Sequence, residues 1–343
     1  MGLYPGNAGE ENYALQDGFP LRSVSPLMAA RALWQMRVRG RPFVLSHGIT
    51  ARCNLSCPFC EYWRQPGEEM STPEVLQMLD EAHDFGIGVY NAWTVEPLLR
   101  DDLPDILRHA KSLGMVTSLI TNGLLLKRRA GELSDLDLLS VSVDGIKSYR
   151  ELRGIDLADV LDGIRAARQA GHEILMNCVI SGKNLGELED LVHLAQSLGC
   201  WISFEPMHES GGIEEKVWGS LGIRDIPAYR RAILRLIELK RSGSPIINSQ
   251  TYLKMILDRE PRFKCHAADI ILHVAADGTI ENCRVHQQPL GHVSEGIARV
   301  METSREKRRE RATSCQGCLF FGYVENSLLY EFVPEVMRHY EWM

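Results

Sequence analysis

The stretch PFVLSHGITARCNLSCPFC, residues 42–60, decides how the rest of the chain is interpreted. Its first half is typical of a strand, and its second half places Cys53, Cys57 and Cys60 in the spacing Cys-x3-Cys-x2-Cys. Three thiolates so close together can each hold one iron of a [4Fe–4S] cluster. The fourth iron then has no local protein ligand, and such an open position suits a catalytic metal centre. A zinc site, or a cluster with a distant fourth cysteine, is the alternative.

Strand and helix patterns alternate in the residues that follow. The strand patterns cover 42–50, 87–93, 115–121, 136–143, 172–180 and 200–206, and the helical patterns cover 72–86, 103–114, 124–133, 157–171, 184–199 and 228–243. This alternation predicts βαβ units and a parallel sheet. Six such units predict an α/β fold, a partial (β/α)6 TIM-like barrel over residues 42–245. Functional groups should then lie at the carboxyl ends of its strands.

The segments on either side of the barrel have different patterns. Residues 1–41 predict a polar lead and then a helix over 25–38, with Leu27, Leu33 and Trp34 at helical spacing. We expect this helix to pack across the base of the barrel. The alternative is peripheral contact with an anionic membrane through residues 25–41, which carry several arginines. Residues 246–343 predict a small module with a β-hairpin, turning at Asp277-Gly278, and a C-terminal helix.

Composition excludes several classes of protein. The net charge of −7 over 343 residues disfavours a nucleic-acid binder, so no nucleic-acid partner is expected. No apolar run is long enough for a membrane span, and the N-terminus lacks the features of a signal peptide, so a cytoplasmic location is expected. The nine cysteines are odd in number and clustered, which favours metal ligation over a disulfide framework. Nothing in the sequence indicates the oligomeric state.

Over roughly residues 43–210, the cysteine motif and its position after the first strand resemble those of the radical S-adenosylmethionine (SAM) enzymes. The resemblance implies a [4Fe–4S] cluster on Cys53, Cys57 and Cys60 whose open iron binds the amino and carboxylate groups of SAM. It implies that reduction of the sulfonium gives methionine and a 5′-deoxyadenosyl radical, which abstracts a hydrogen atom from the substrate. It also implies flavodoxin or ferredoxin as the reductant.

The resemblance extends to single residues near SAM. Phe59 is the aromatic residue inside the motif and is expected near the adenine. Glu96 is expected to pair with the SAM ammonium, although Thr94-Val95 stand where the family usually has Gly-Gly. For Glu96 the alternative is a surface glutamate that starts a helix.

Three further residues lie on the fourth and fifth strands or in the segment between them. Ser142 resembles the hydroxyl that binds the SAM ribose or carboxylate, and Arg153 resembles the arginine that pairs with the carboxylate. A guanidinium suits that role because its fork is planar and permanently charged. Asn177 is a further candidate, and a buried amide with its own partners is the alternative.

The second cysteine group is C-terminal. Cys265, Gly278 and Cys283 have the spacing of a cluster-binding hairpin, and Cys315 and Cys318 follow as Cys-x2-Cys. This arrangement resembles the twitch form of the SPASM modules found in radical SAM enzymes. It implies an auxiliary [4Fe–4S] cluster with four cysteine ligands, and structural zinc is the alternative.

The sequence therefore predicts a radical SAM enzyme that acts on a small, non-peptide metabolite. The outcome would be oxidation, C–C bond formation or rearrangement, with the auxiliary cluster as an electron relay. Glu205 and His208, at the end of the sixth strand, are candidates to accept the substrate proton, with a polar capping loop as the alternative.

Three alternative functions stay open at this point. A peptide or protein maturase is one, although the residues before the strand at 42 are too few for a winged-helix leader-recognition domain. A lipid-modifying enzyme of the same class is another. The third is a non-catalytic iron–sulfur electron carrier or sensor.

Overall fold

One sheet organises the residues that the computed structural model describes, which are 26–65, 67–93, 95–208 and 212–336. The strands of this sheet are β1 (Val44–Gly48), β2 (Val89–Trp93), β3 (Val116–Thr121), β4 (Leu138–Ser142), β5 (Ile174–Ile180), β6 (Trp201–Pro206), β7 (Ile271–Val274), β8 (Thr279–Glu281) and β9 (Pro289–His292). Their spatial order is β6-β5-β4-β3-β2-β1-β7-β8-β9. The first six strands are parallel and adjacent in chain order, as in a partial TIM-like barrel.

Helices connect these strands and cover the outer face of the sheet. They are α1 (Pro26–Leu33), α2 (Thr72–Phe85), α3 (Leu103–Ser112), α4 (Leu126–Arg129), α5 (Tyr149–Arg153), α6 (Leu157–Gln169), α7 (Leu188–Ser197), α8 (Glu215–Leu221), α9 (Ile226–Arg241), α10 (Gln250–Asp258), α11 (Ala267–Ile270), α12 (Ile297–Thr303), α13 (Arg305–Ser314) and α14 (Phe321–Tyr330). No helix of the described ranges is both long and apolar enough to cross a membrane.

Helix α2 shows how the local sequence determines these elements. Ser71 and Glu74 form a capping box at its start, so two backbone N–H groups without helical partners are satisfied. Gly86 ends it with a φ of 111°, a conformation that costs glycine little. Its buried side chains recur at helical spacing and lie in the hydrophobic core with β1 and β2. The helix thereby fixes the return path of the cysteine loop between β1 and α2.

The C-terminal hairpin is part of the barrel sheet. Strand β7 pairs with β1 in parallel, from Val44 opposite Ile271 to His47 opposite Val274, and β8 and β9 follow as antiparallel strands. Ile246 also bridges to Ile202 on β6. The domain limits drawn at residues 41/42 and 245/246 stay predictions. The hairpin nevertheless shares its hydrogen-bonding ladder with the strand that leads into the cysteine motif.

The N-terminal helix lies at the base of the barrel, but it is not held there by its apolar face. Leu27 and Trp34 are 79% and 60% exposed, so the expectation that they pack against the barrel was wrong. Gln35 anchors the segment instead, because its buried amide donates to the carbonyl oxygens of Phe85 (2.9 Å) and Pro42 (3.3 Å). The carbonyl at the end of α2 thereby gains a hydrogen-bond partner, while the apolar face of the N-terminal helix stays exposed.

Several elements differ from the sequence-based expectation. Helices α5, α8 and α10 were not predicted, because each is short or lies in a stretch read as loop. The helix expected over 124–133 is α4 followed by a 3-10 turn at Ala130–Glu132. The predicted hairpin begins with the helical turn α11 before β7.

Candidate active site at the carboxyl ends of the strands

The first cysteine motif lies on the loop between β1 and α2, and a buried arginine closes the base of that loop. Arg100 is 5% exposed, and its Nη1 donates to the carbonyl oxygens of Ile49 and Met70, both at 3.0 Å. Its other nitrogens pair with Asp102, whose carboxylate pKa is lowered to about 2 by that hydrogen bond. The permanently charged guanidinium of Arg100 therefore holds both ends of the loop by hydrogen bonds.

Further contacts hold the interior of the loop. Glu69 accepts hydrogen bonds from Thr50 Oγ1 (2.7 Å) and from the Arg52 guanidinium (3.0 Å). The indole Nε1 of Trp63 donates to the Cys57 carbonyl at 2.9 Å. Asn122, at the end of β3, donates to the Asn54 side chain at 2.8 Å, which ties the motif to the neighbouring strand.

The three thiols of this loop are donor groups of the kind that bind an iron–sulfur cluster. Burial raises the pKa of Cys53 to about 11 and also raises that of Cys57, and the charges of Cys57 and Cys60 act on Cys53. The Leu55 N–H donates to Cys53 Sγ (3.4 Å), a contact that favours a thiolate. Among the described residues no three side chains are already closed around a metal position. The three thiols lie on one loop, and Cys53 is within electrostatic range of the other two.

Arg153 is a charged residue from outside the loop that approaches one of the three thiols. Its Nε forms an ion pair with Asp144, whose side chain is 1% exposed, and its Nη1 lies 3.9 Å from Cys57 Sγ. The guanidinium carbon is 5.3 Å from the centre of the Phe59 ring. Asp144 also accepts from the Val179 N–H at 2.8 Å, so its position is fixed by β5. Sequence reasoning missed Asp144, although it follows Ser142 by two residues.

Glu96 is fully buried, which differs from the surface glutamate considered as the alternative. It accepts hydrogen bonds from Thr121 Oγ1 (2.7 Å), Asn122 N (2.8 Å) and Leu98 N (3.1 Å). It thus caps the short helical turn that follows and also joins the ends of β2 and β3. Burial outweighs these bonds and raises its pKa to about 7.

The residues before Glu96 depart from the family pattern at a strained position. Val95 has a φ of 45°, a left-handed conformation that is unfavourable for a β-branched residue. Thr94 lies outside the described residues. The backbone here follows a course suited to glycine, although the sequence has valine.

Ser142 and Asn177 lie side by side on the inner face of the barrel. The register of β4, β5 and β6 places Ser142 opposite Asn177 and Asn177 opposite Ser203. Ser203 Oγ donates to Asn177 Oδ1 at 2.6 Å, so the half-buried amide of Asn177 has a protein partner of its own. The inner face is therefore polar at this level, as a site for a polar ligand requires.

Glu205 and His208 belong to the C-terminal side of the site. Glu205 Oε2 accepts from the Phe321 N–H at 3.0 Å, where α14 begins, and burial raises its pKa to about 7. His208 lies with its ring 5.9 Å from that of Phe320. Both residues thus contact the segment that follows Cys318, and Glu205 has the capping contact that was the alternative for this loop.

The four C-terminal cysteines come from three segments, and Cys318 lies within electrostatic range of the other three. Burial raises the pKa of Cys318 to about 12, and the charges of Cys265, Cys283 and Cys315 all act on it. Backbone N–H groups donate to each sulfur, including that of Gly317 to Cys315 at 3.4 Å. Four thiols with such donors fit a cluster with four cysteine ligands.

A group of polar aromatic contacts connects the two cysteine groups and was not expected from the sequence. Arg284, next to Cys283, stacks its guanidinium on the Trp93 ring and lies 5.7 Å from the Tyr62 ring. Tyr62 and Trp93 meet edge to face at 5.8 Å. Adjacent to them is a cavity of about 260 Å³, which β1, β2, the cysteine loop and the β7–β8 hairpin enclose.

Comparison with known proteins places this geometry in a family. Residues 48–195 match the family described as "Radical SAM superfamily". A "Probable GTP 3',8-cyclase" of Methanococcus aeolicus is 34% identical over 176 residues, which are 47% of this chain and 59% of that protein. One from Sulfolobus acidocaldarius is 27% identical over 63% of this chain and 68% of its own length. The chain thus spans less than two thirds of the first of these relatives.

Solved structures show the same fold at low sequence identity. "Native anSMEcpe with bound AdoMet and Cp18Cys peptide" has a TM-score of 0.62 at 16% identity, over 88% of this chain and 100% of that one. Streptococcus suis SuiB bound to S-adenosylmethionine has a TM-score of 0.59 at 17% identity, over 71% of this chain and 60% of that one. At these identities the likeness concerns the fold alone. The family match shows a radical SAM domain over residues 48–195, and these solved structures share its fold.

Proposed function

We propose that this enzyme reductively cleaves SAM and uses the resulting radical to abstract a hydrogen atom from a small, non-peptide metabolite. The residues that would hold the SAM-binding [4Fe–4S] cluster are Cys53, Cys57 and Cys60. When bound, the cluster and SAM together supply the 5′-deoxyadenosyl radical. The observation that carries the proposal is the position of Arg153, a guanidinium directed at Cys57 and fixed by Asp144.

The side chains around this motif suit the polar end of SAM. Arg153 keeps nitrogen atoms beside Cys57, where a carboxylate bound at the open iron would lie. Glu96 is within electrostatic range of Cys53 and would face the ammonium, whose charge would favour the ionised carboxylate. Phe59 would pack on the adenine, and Ser142 and Asn177 would line the inner face beneath the ribose.

An auxiliary [4Fe–4S] cluster on Cys265, Cys283, Cys315 and Cys318 is the second part of the proposal. The electrostatic interaction of Cys318 with the other three thiols and the backbone donors to their sulfurs support it. Arg284 and Tyr62 lie in contact range between the two cysteine groups, so the cluster would be placed to relay an electron from the substrate side. Flavodoxin or ferredoxin would supply the first electron, and a cytoplasmic location would suit that partner.

The non-peptide substrate is favoured by two observations. The relatives at 27–34% identity are named for a reaction of GTP, which makes GTP the first candidate to test. The cavity beside Trp93, about 260 Å³ in volume, also has room for one part of such a metabolite. Glu205 would accept the proton released when the product radical is oxidised, since its raised pKa of about 7 keeps both protonation states accessible near neutral pH.

The experiment is anaerobic reconstitution followed by iron analysis and an assay for 5′-deoxyadenosine. Wild-type protein should hold about eight irons and no zinc, and should form 5′-deoxyadenosine from SAM with dithionite. Cys57→Ala should hold about four irons and form none. Cys318→Ala should also hold about four, but it should still cleave SAM.

Cys200→Ala is the matched control, because Cys200 is buried in the core away from both groups and should keep iron and activity unchanged. Four irons and one zinc in the wild type would remove the auxiliary cluster from the proposal. A full iron content without any SAM binding, seen as an unchanged EPR spectrum of the reduced cluster, would leave an electron carrier or sensor instead. Addition of GTP then tests the first candidate substrate by its consumption.

A further inference from the structure

Helix α13 carries an excess of positive charge on the surface of an acidic protein. Its sequence REKRRERATS has five basic and two acidic side chains, whereas the whole chain has a net charge of −7. None of its residues is buried. Among the described residues, none of the five cations forms an ion pair, although exposed arginines on other helices, such as Arg150 and Arg235, are paired with carboxylates. The positive charge of α13 is therefore left for solvent or for a partner.

The basic side chains of α13 divide into those that fasten the helix and those that are free. Lys307 and Arg308 donate to backbone carbonyl oxygens of neighbouring segments at 2.8–3.3 Å. Arg305 and Arg309 are exposed, and within the described ranges their side chains form no hydrogen bond. Because they are four residues apart on one helix, they lie next to each other on the same face. These two arginines define the basic face of α13.

The last basic side chain, Arg311, connects α13 to the C-terminal cysteine group. It donates to Nδ1 of His286, and Nε2 of that ring lies 3.8 Å from Cys315 Sγ. Since a guanidinium can only donate, Nδ1 is the acceptor and the ring proton is on Nε2, on the side of the sulfur. Cys315 directly follows α13 and, like Cys265 and Cys283, is only partly buried. The basic helix is thus next to a group of thiols that solvent can reach.

Resting on the proposed function, we infer that the basic face of α13 is the docking surface for an acidic electron-transfer protein. Carboxylates around the redox group of such a partner would face Arg305 and Arg309. Charge complementarity of this kind steers the encounter and fixes the orientation of the partner. Docking at α13 would bring the redox group of the partner beside Cys315 and the other thiols proposed to hold the auxiliary cluster.

Two other classes of partner fit this helix less well. Ala312 is the one apolar side chain of α13, so the helix lacks the apolar face that enters a membrane surface. Glu306 and Glu310 alternate with the cations, and the chain as a whole is acidic, which disfavours the phosphate backbone of a nucleic acid. The adjacent cysteine group favours a redox protein over other acidic proteins.

The test is isothermal titration calorimetry of the reconstituted protein with oxidised flavodoxin, an acidic flavoprotein, at about 50 and 300 mM NaCl. Wild-type protein should bind about tenfold more weakly at the higher salt concentration, because salt screens the charges of the interface. Arg305→Glu combined with Arg309→Glu should weaken binding by about tenfold at the lower salt concentration and reduce the salt dependence. The milder pair, Arg305→Gln with Arg309→Gln, should weaken it by about threefold.

Arg128→Glu combined with Arg231→Glu is the matched control. These two exposed arginines belong to the barrel helices α4 and α9, and the pair changes the net charge by the same amount. The control pair should weaken binding by less than about twofold. Iron content and thermal midpoint establish that each variant is folded.

Three results would overturn the inference: no binding by the wild type, unchanged affinity in both α13 pairs, or equal weakening in the control pair. Tighter binding of a single-stranded oligonucleotide than of flavodoxin at the same salt concentration would also overturn it, in favour of a nucleic-acid partner. The assay contains no SAM and no reductant. A failure here, with normal 5′-deoxyadenosine formation by the wild type with dithionite, would therefore refute the docking surface and leave the proposed SAM cleavage intact.

Discussion

The two cysteine groups differ in how the chain brings their thiols together. Cys53, Cys57 and Cys60 lie on one loop, and its shape is set by nearby clamps such as Arg100 on the Ile49 and Met70 carbonyls. The C-terminal thiols come from three places: Cys265 before α11, Cys283 after β8, and Cys315 with Cys318 between α13 and α14. The thiols of the first group are brought together by the fold of a single loop. The thiols of the second group come together only after segments distant in sequence have packed against one another. The C-terminal group should therefore be the one that contributes to folding stability.

The largest expected effect separates the groups by stability. Cys318→Ala should lower the thermal midpoint by roughly 5–10 °C, because a cluster held by three segments contributes its binding free energy to folding. Cys57→Ala should lower it by much less, although it abolishes SAM cleavage. Differential scanning calorimetry of the reconstituted proteins measures both. Equal midpoints in the two variants would contradict the comparison, and Cys200→Ala controls for loss of a buried thiol.

The next prediction concerns the charge that faces the first group. Arg153→Gln should weaken SAM binding by about 10- to 100-fold, because it removes a charge-assisted contact fixed by the buried Asp144. Arg150→Gln is the control, since Arg150 lies on the same helix in an exposed pair with Asp156. Equilibrium dialysis with SAM measures both. Equal affinities would show that Arg153 only supports the loop.

A pH-dependent prediction tests the link between the barrel and α14. Burial raises the pKa of Glu205 from its usual 4.5 to about 7. The folded protein therefore keeps a proton that the unfolded chain releases, and its free energy of unfolding falls as the pH rises from about 4.5 to 7. Glu205→Gln should remove this loss. The variant should exceed the wild type by about 2–3 kcal/mol at pH 8 and match it at pH 4.5.

Denaturant unfolding at several pH values measures this difference. Glu302→Gln, at an exposed position on α12, should show no such trend. A difference between Glu205→Gln and wild type that does not change with pH would mean that the carboxyl is not proton-bound in the folded state.

A smaller effect is expected at the strained residue beside Glu96. Val95→Gly should raise the free energy of unfolding by about 1 kcal/mol, because glycine adopts a φ of 45° without the penalty of a β-branched side chain. Val89→Gly, in the regular part of β2, should lower it by a similar amount. A loss of stability in both variants would show that the Val95 side chain contributes packing greater than its strain.

The smallest effect belongs to the exposed N-terminal helix. Trp34→Ser should change the free energy of unfolding by less than about 0.5 kcal/mol, whereas Gln35→Ala should lower it by about 1–2 kcal/mol. Co-sedimentation with anionic vesicles tests the predicted membrane contact of residues 25–41, which Trp34→Ser should weaken. A large stability loss in Trp34→Ser would mean that its ring is buried in solution.

Local pattern predicted most of the barrel and the positions of both cysteine groups. The helices that bury one regular face, such as α2 and α9, coincide with their predicted ranges within a few residues. The parallel pairing of β7 with β1 was not predicted, because it depends on residues that are far apart in sequence. A hairpin pattern predicts which two strands pair antiparallel. It does not predict which strand pairs with the other edge of the hairpin.

Only the site residues that belong to a motif with a characteristic spacing were predictable from the sequence. Asp144 and Arg284 carry no such signal, since each becomes important through a partner on another strand or loop. Gln35 shows the opposite case, where a polar residue on an apolar helical pattern proved to be the anchor. The role of such a side chain depends on its partners in the folded structure, and a single sequence does not identify those partners.

The pairing of β7 with β1 has a consequence for the order in which the chain folds. Val44 acquires its partner Ile271 only after more than two hundred further residues have been synthesised. Until then one edge of β1 is open, beside the loop of the first cysteine motif, and contacts of such high sequence separation form slowly. A growing chain on the ribosome would therefore present the first three thiols before the sheet beside them is complete. Delivery of iron and sulfide to that loop could precede the last steps of folding.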